Sequence, residues 1–198
     1  MFLEYLEIGT CDFNCECLKK IYKNKLGMCI EPLKYYLDKL PNRKNLIKVN
    51  CAIFNKSGKG KIFYVSEEDI IKLNLPKWLK GCSSLNKRHW IFDCKNHFPN
   101  GIPVKEKDVD ILSFADLVKI YKIESINFLK IDTEGCDSYI LENYLKYSET
   151  NKKILAKKIK FEFNRESNKE HTLKIIELLK LNNYKFTKIG KDTICYLE

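Results

Sequence analysis

Short apolar runs alternate with stretches of helical periodicity along most of this chain. That alternation limits the fold more than any other feature. Leu3–Ile8 is a buried-strand segment bounded by Gly9, and Asn14 can cap a helix whose apolar positions are Cys17, Leu18, Ile21 and Tyr22. Leu26–Ile30 reads as a second strand, and Pro32 suits the first turn of a helix through Leu33, Tyr36, Leu37 and Leu40. Leu46–Phe54 reads as a third strand, with Lys61–Val65 as its hairpin partner across the turn Ser57–Gly60. Residues 66–103 have weak periodicity and hold both tryptophans, which suits a lid or substrate insertion. Order returns with a helix over Phe114–Tyr121 capped by Ser113, a strand at Ile126–Ile131 and a helix at Asp137–Leu145. A strand at Lys158–Phe163, a helix at His171–Leu181 and strands at Tyr184–Ile189 and Thr193–Leu197 complete the chain. The order predicts an α/β fold: a mainly parallel Rossmann-like sheet, helices on both faces, and an antiparallel C-terminal edge strand.

Composition sets the remaining bounds. At 198 residues, with 44% apolar residues, one domain over 1–198 is expected to bury its own core. An aromatic content of 12% excludes intrinsic disorder, and eight Gly with five Pro exclude collagen-like classes. No run is long enough for a membrane span, and Glu4 and Glu7 make the N-terminus unlike a signal peptide. The net charge of +10 would favour anionic partners, nucleic acid included. Yet only Arg43, Arg88 and Arg165 are arginine, and the lysines are dispersed, so a solvated surface is the preferred reading. Nine cysteines with no zinc-like spacing predict free thiols in a reducing, cytoplasmic setting and no metal site.

Ligands of doubly wound sheets bind at the carboxyl ends of the strands. Four segments fall there. In Glu7–Phe13, Gly9 lets the backbone approach a ligand, and the amides beyond it can meet a polar group. A full dinucleotide glycine signature is absent. Glu31 stands 22 residues after Gly9, where an acid can accept from two ribose hydroxyls. Asn50–Ile53 offers small and apolar side chains for a base, or for core packing. Lys130–Gly135 places Asp132 and Glu134 just past a buried central strand.

These segments, in this order, resemble the FkbM-like family of S-adenosylmethionine-dependent methyltransferases. The resemblance covers roughly Phe2 to Leu145 and is most specific at Phe128–Asp137. Glu7–Phe13 looks like the family's cofactor loop, Ile30–Pro32 like its ribose-binding acid, and Gly81–Leu85 like its serine-bearing loop. The chain departs at Glu7, where Asp is more usual, and at Asp12 and Phe13, where many members have a hydrophobic residue and a second glycine. The resemblance implies a class I methyltransferase fold with S-adenosyl-L-methionine as cofactor. It implies that Glu7, Gly9, Thr10, Asp12 and Phe13 lie along the methionyl part and Glu31 with Pro32 at the ribose. Ala52 and Ile53 would flank the adenine, and Asp132 would sit near the sulfonium.

Methyl transfer to a hydroxyl needs alignment and a base. Asp132, Glu134 and His89 are the candidate catalytic groups, with His97 as an alternative base. Ser83, Ser84, Trp78 and Trp90 are candidate acceptor contacts. Asp132 and Glu134 would need a third oxygen ligand to hold Mg²⁺, and no third is evident in the sequence. The expected acceptor is a hydroxyl of a small molecule or glycan. Nucleic-acid methylation and a non-catalytic module on the same fold are the alternatives. No membrane partner is expected. The first strand begins almost at Met1, without covering helices ahead of it, which would suit a homodimer.

Overall fold

The computed structural model describes all residues except 94–96, 100, 165 and 166. Part of the 66–103 insertion and Arg165 therefore lie outside the described residues.

The strands are β1 (Phe2–Ile8), β2 (Gly27–Ile30), β3 (Leu46–Val49), β4 (Ala52–Phe54), β5 (Gly58–Val65), β6 (Val104–Ser113), β7 (Ser125–Ile131), β8 (Lys158–Glu162), β9 (Tyr184–Lys188) and β10 (Asp192–Leu197). The α-helices are α1 (Lys34–Lys39), α2 (Glu67–Lys72), α3 (Phe114–Tyr121), α4 (Asp137–Thr150) and α5 (Lys169–Leu181). Seven strands form one sheet in the order β3-β2-β1-β7-β8-β10-β9. Pairings from β3 through β8 are parallel. Strand β10 runs antiparallel to both neighbours, so it lies one place in from the edge and β9 forms the edge itself. The mainly parallel Rossmann-like sheet expected from the alternation is present. The strand order reverses between β1 and β7, which puts the switch point at the ends of those two strands.

Both faces of the sheet are covered, but unequally. Helices α3, α4 and α5 pack on one face over Leu6, Ile8, Leu129, Ile131, Ile159 and Phe161, all nearly inaccessible. Ser113 caps α3 as expected, its hydroxyl accepting from the Asp116 amide, and Asn168 caps α5, accepting from the His171 amide. The other face carries Tyr5, Cys15, Cys17, Cys29, Leu46 and Phe128 against Leu37 of α1 and Leu40 just past its end.

The helix expected after Asn14 does not form. Two 3₁₀ turns, Glu16–Leu18 and Lys20–Tyr22, replace it. Cys15 and Cys17 are both buried while Leu18 and Ile21 are exposed. With Glu16 buried between the two cysteines, three consecutive residues are buried, which suits an irregular segment, because an α-helix buries positions three and four apart. Cys11 and Asn14 also sit at positive φ, 49° and 57°.

Three further expectations are corrected. The segment 46–54 splits at Asn50, whose side-chain amide donates to the carbonyls of Glu31 (2.8 Å) and Pro32 (2.9 Å). Strand β4 then leaves the main sheet for a three-stranded sheet ordered β4-β6-β5. Strand β5 pairs with β6 and not with 46–54. Strand β6 was illegible because Lys105, Glu106, Lys107, Asp108 and Asp110 give it no apolar alternation. Its charges meet opposite charges across the ladder: Lys59 pairs with Asp110, and Lys61 with Glu106 at 2.6 Å.

Candidate active site

Gly9 ends β1 at φ +81°, and a Cβ there would stand 2.0 Å from the carbonyl oxygen of Asp132. Only glycine allows the turn after β1 to lie against the turn after β7 at this distance. The Asp132 amide donates to Ile8 O (2.9 Å) and the Gly9 amide to Ile30 O (3.0 Å). The ends of β1, β2 and β7 are thus tied at one rim.

A small cavity opens at that rim, lined by Gly9, Glu31, Pro32, Ala52, Ile53 and Asp132. Ser83 and Leu85 of the insertion close its other side. Glu31 is buried, and its two oxygens accept from the amides of Cys11 (2.7 Å) and Leu33 (2.9 Å). Each oxygen keeps a lone pair for a further donor. Burial raises its pKa to about 7, and the two amides oppose the rise.

A second, wider cavity shares Gly9, Cys11, Gly81 and Asp132 with the first. Thr10, Phe13, Trp78, Trp90, Glu134 and Glu162 line it. Trp78 and Trp90 come from the insertion, which therefore does border the site. The Thr10 hydroxyl oxygen is buried and has no hydrogen-bond partner among the described residues.

Asp132, Glu134 and Glu162 each bring a carboxylate oxygen within 4.8 Å of the other two. Burial, then the charges of Asp132, Glu134 and Asp137, push Glu162 up to about 8. Asp132 is raised as well, by burial first, with Lys130 opposing. Glu134 is held in the left-handed region at φ 51°, followed by Gly135 at 106°. The buried Asp137 fixes this turn: it accepts from the Thr133 amide (3.0 Å), the Thr133 hydroxyl (2.5 Å) and the Glu162 amide (2.8 Å). One side chain therefore positions both acidic turns. Glu162 is the residue that sequence reasoning missed. It is the last residue of β8, next to β7, so the rule that placed Asp132 and Glu134 also covered it. It supplies the third oxygen that the pair lacked.

Other expected site residues stand elsewhere. Glu7 does not face either cavity. It is fully buried on the opposite side of β1, accepting from Lys130 Nζ and the Glu16 amide, both at 2.7 Å. Burial raises it to about 7 despite Lys130. Asp12 lines neither cavity and pairs with Lys80 (2.5 Å) and Lys39 (3.3 Å), which hold its pKa low against partial burial. Ser84 is turned inward, its hydroxyl donating to Glu134 O at 3.0 Å. His89 is fully buried behind Glu134, with Nε2 3.2 Å from a Glu134 oxygen, so it positions Glu134 and does not touch the cavity. His97 is exposed and packs edge-on against Trp90.

A parallel sheet of this order, with a glycine turn, an end-of-strand acid and a central acidic turn on one rim, defines a class I methyltransferase fold. The family model of the FkbM methyltransferase domain matches residues 7–186, and this chain belongs to that family. No curated protein and no solved structure matches it.

Proposed function

We propose that this methyltransferase uses S-adenosyl-L-methionine to methylate a hydroxyl of a small molecule or glycan in the cytoplasm. The observation that carries the reading is the meeting of Gly9, Glu31 and Asp132 on one cavity beside a second, roomier one. The residues present fit the cofactor. Glu31 keeps acceptor capacity for two ribose hydroxyls, and Ala52 and Ile53 give an apolar wall for the base. The orphaned Thr10 hydroxyl has an unmet hydrogen bond that a ligand in the adjoining cavity can satisfy.

When bound, the cofactor supplies a methyl group activated by a sulfonium. The chain's own residues do the rest. The Gly9 turn and Asp132 border both cavities, so they stand where the two ligands would meet. Trp78 and Trp90 offer aromatic faces for a sugar ring or another flat acceptor. Holding the acceptor oxygen in line removes most of the orientational cost. The hydroxyl proton passes to the carboxylate cluster of Asp132, Glu134 and Glu162, with His89 fixing Glu134 from behind.

Calorimetric titration with S-adenosylhomocysteine tests the cofactor assignment. Saturable binding by the wild type and none by Glu31→Ala is expected. Absence of heat with the folded wild type would overturn it.

A further inference from the structure

The insertion has a small core of its own. Val65, Ile70, Leu79, Cys82 and Ile91 are buried together, and every described apolar residue packed against them lies within 65–102. No described residue of the loop after β1 joins that cluster. Apolar burial therefore does little to fix how the insertion sits against that loop. Polar contacts cross the seam instead, and they converge on Asp12. One carboxylate oxygen pairs with Nζ of Lys80 (2.5 Å), in the 3₁₀ turn Lys77–Gly81 of the insertion. The other pairs with Nζ of Lys39 in α1 (3.3 Å), which also pairs with Glu67, the first residue of α2 in the insertion (2.5 Å). The Asp12 side chain is only 8% exposed, so water and salt screen these pairs less than pairs at the open surface. The flanking residues follow the same course. Cys11 Sγ stands 3.5 Å from Lys80 O, and the Lys80 ammonium lies 4.9 Å from the centre of the Phe13 ring. A Cβ on Gly81 would stand 3.0 Å from that ring.

We propose that Asp12 is a positioning residue: by fastening Lys80 and Lys39 it seats the insertion on the loop after β1 and so sets the shape of both cavities. Asp12 and Lys80 line neither cavity themselves, but their neighbours do. Cys11 and Gly81 border both cavities, Ser83 and Leu85 close the first, and Trp78 lines the second.

The Cys11 amide is also one of the two donors to Glu31, at 2.7 Å. The step from Cys11 to Asp12 thus joins the acid at the ribose position to the wall that carries Trp78. Farther along, the insertion is held separately. Ser84 exchanges two backbone hydrogen bonds with Phe63 (2.8 and 2.9 Å), and its hydroxyl donates to Glu134 O (3.0 Å). Loss of the Asp12 contacts therefore lets the insertion lift at 77–81 while 84 stays anchored.

The ligand arm of the test rests on the S-adenosylmethionine reading, and the thiol arm does not. Cys11 is partly buried beneath the seam, so its rate of alkylation by a maleimide, mapped by mass spectrometry on the folded protein, reports how often the insertion lifts. Asp12→Asn and Lys80→Met should each raise that rate about fivefold or more. Charge alone would split the two variants, because losing the carboxylate favours the Cys11 thiolate and losing the ammonium disfavours it. Both variants should also bind S-adenosylhomocysteine about fivefold more weakly, through faster dissociation, and the double variant should bind no more weakly than Asp12→Asn. Alkylation that is not faster in both variants, an unchanged affinity, or additive losses in the double variant overturns the proposal. Faster amide exchange throughout α5 in the variants overturns it too, since that marks a general loosening of the fold. If the wild type binds no S-adenosylhomocysteine while both variants are alkylated faster, the cofactor reading fails and the seating of the insertion by Asp12 stands.

Discussion

Glu31 couples the cofactor site to pH, and the coupling has a calculable size. Burial lifts its pKa from 4.5 to about 7, which corresponds to about 3 kcal/mol of disfavour for the charged form. Its folded pKa exceeds its unfolded value. The associated stability is therefore present in full below pH 4.5 and is lost as pH rises through about 7. Ligand hydroxyls that donate to Glu31 favour the charged form and must work against that penalty. Binding of S-adenosylhomocysteine should release a proton near neutrality. The association constant should be level above about pH 8 and fall by up to about tenfold per unit below about pH 7. Glu31→Gln should remove this slope and weaken binding roughly a hundredfold, since two charge-assisted hydrogen bonds are worth about 3 kcal/mol together or more. The variant's own stability should change little. Relief of the buried charge is set against one amide, of Cys11 or Leu33, left facing the Gln NH₂ group. The assay is calorimetry in two buffers of different ionisation heat across that pH range. An affinity independent of pH, or a Glu31→Gln protein that binds like wild type, refutes the assignment of Glu31 to the ligand.

Three more outcomes follow from the same geometry. Gly9→Ala should cost about 2 kcal/mol or more in urea denaturation, because its Cβ meets Asp132 O and its φ is left-handed; unchanged stability would contradict the contact. Glu7→Gln should destabilise by about 3–5 kcal/mol by leaving Lys130 buried without its counter-charge, and adding Lys130→Met should restore most of that loss. Glu162→Gln should flatten the fall in thermal stability between about pH 5 and about pH 9. Retention of the wild-type fall would mean that Glu162 does not titrate among its carboxylate neighbours.

Much of the sheet was legible because β1, β2 and β7 are dominated by apolar residues that a buried parallel strand requires, and β8 alternates buried Ile159 and Phe161 with charged positions. Strand β6 was not, since its exposed positions carry charge and its partners lie some fifty residues away in β5. The first helix failed for a related reason: Leu18 and Ile21 sit at helical spacing, but tertiary burial selected Cys15 and Cys17 instead. Gly9, Glu31 and Asp132 could be placed on the rim because strand ends converge in any sheet of this order. The facing of Glu7 could not be read from its own neighbourhood. It stands directly across from Lys130 in the ladder, a register that exists only once β1 and β7 are paired. A single sequence shows two buried charges 123 residues apart and does not show that they neutralise one another.

Charge placement makes the last distinction. The chain carries +10 overall, yet the walls of its wider cavity do not share that sign in excess. Lys130 is matched to Glu7 at 2.7 Å and reaches Asp132 only at 3.9 Å, Lys160 is matched to Asp192 at 3.3 Å, and Lys191 reaches only to 3.8 Å from Glu162 and is mostly exposed. That leaves Asp132, Glu134 and Glu162 crowded together with little compensation, and it is this crowding, with burial, that lifts Glu162. A polyanion entering the cavity would meet three carboxylates within 4.8 Å of one another, at a cost that dispersed surface lysines cannot repay through water. A ligand carrying positive charge, or neutral hydroxyls that donate, is favoured by the same group. Binding of such a ligand should therefore weaken only modestly with added salt, whereas a nucleic-acid substrate would show the steep salt dependence of released counterions. A salt titration of S-adenosylhomocysteine binding, run beside a gel-shift series with single-stranded RNA, separates the two. Tight RNA retardation with a steep salt slope would mean that the lysines, and not the carboxylates, govern what this cavity receives.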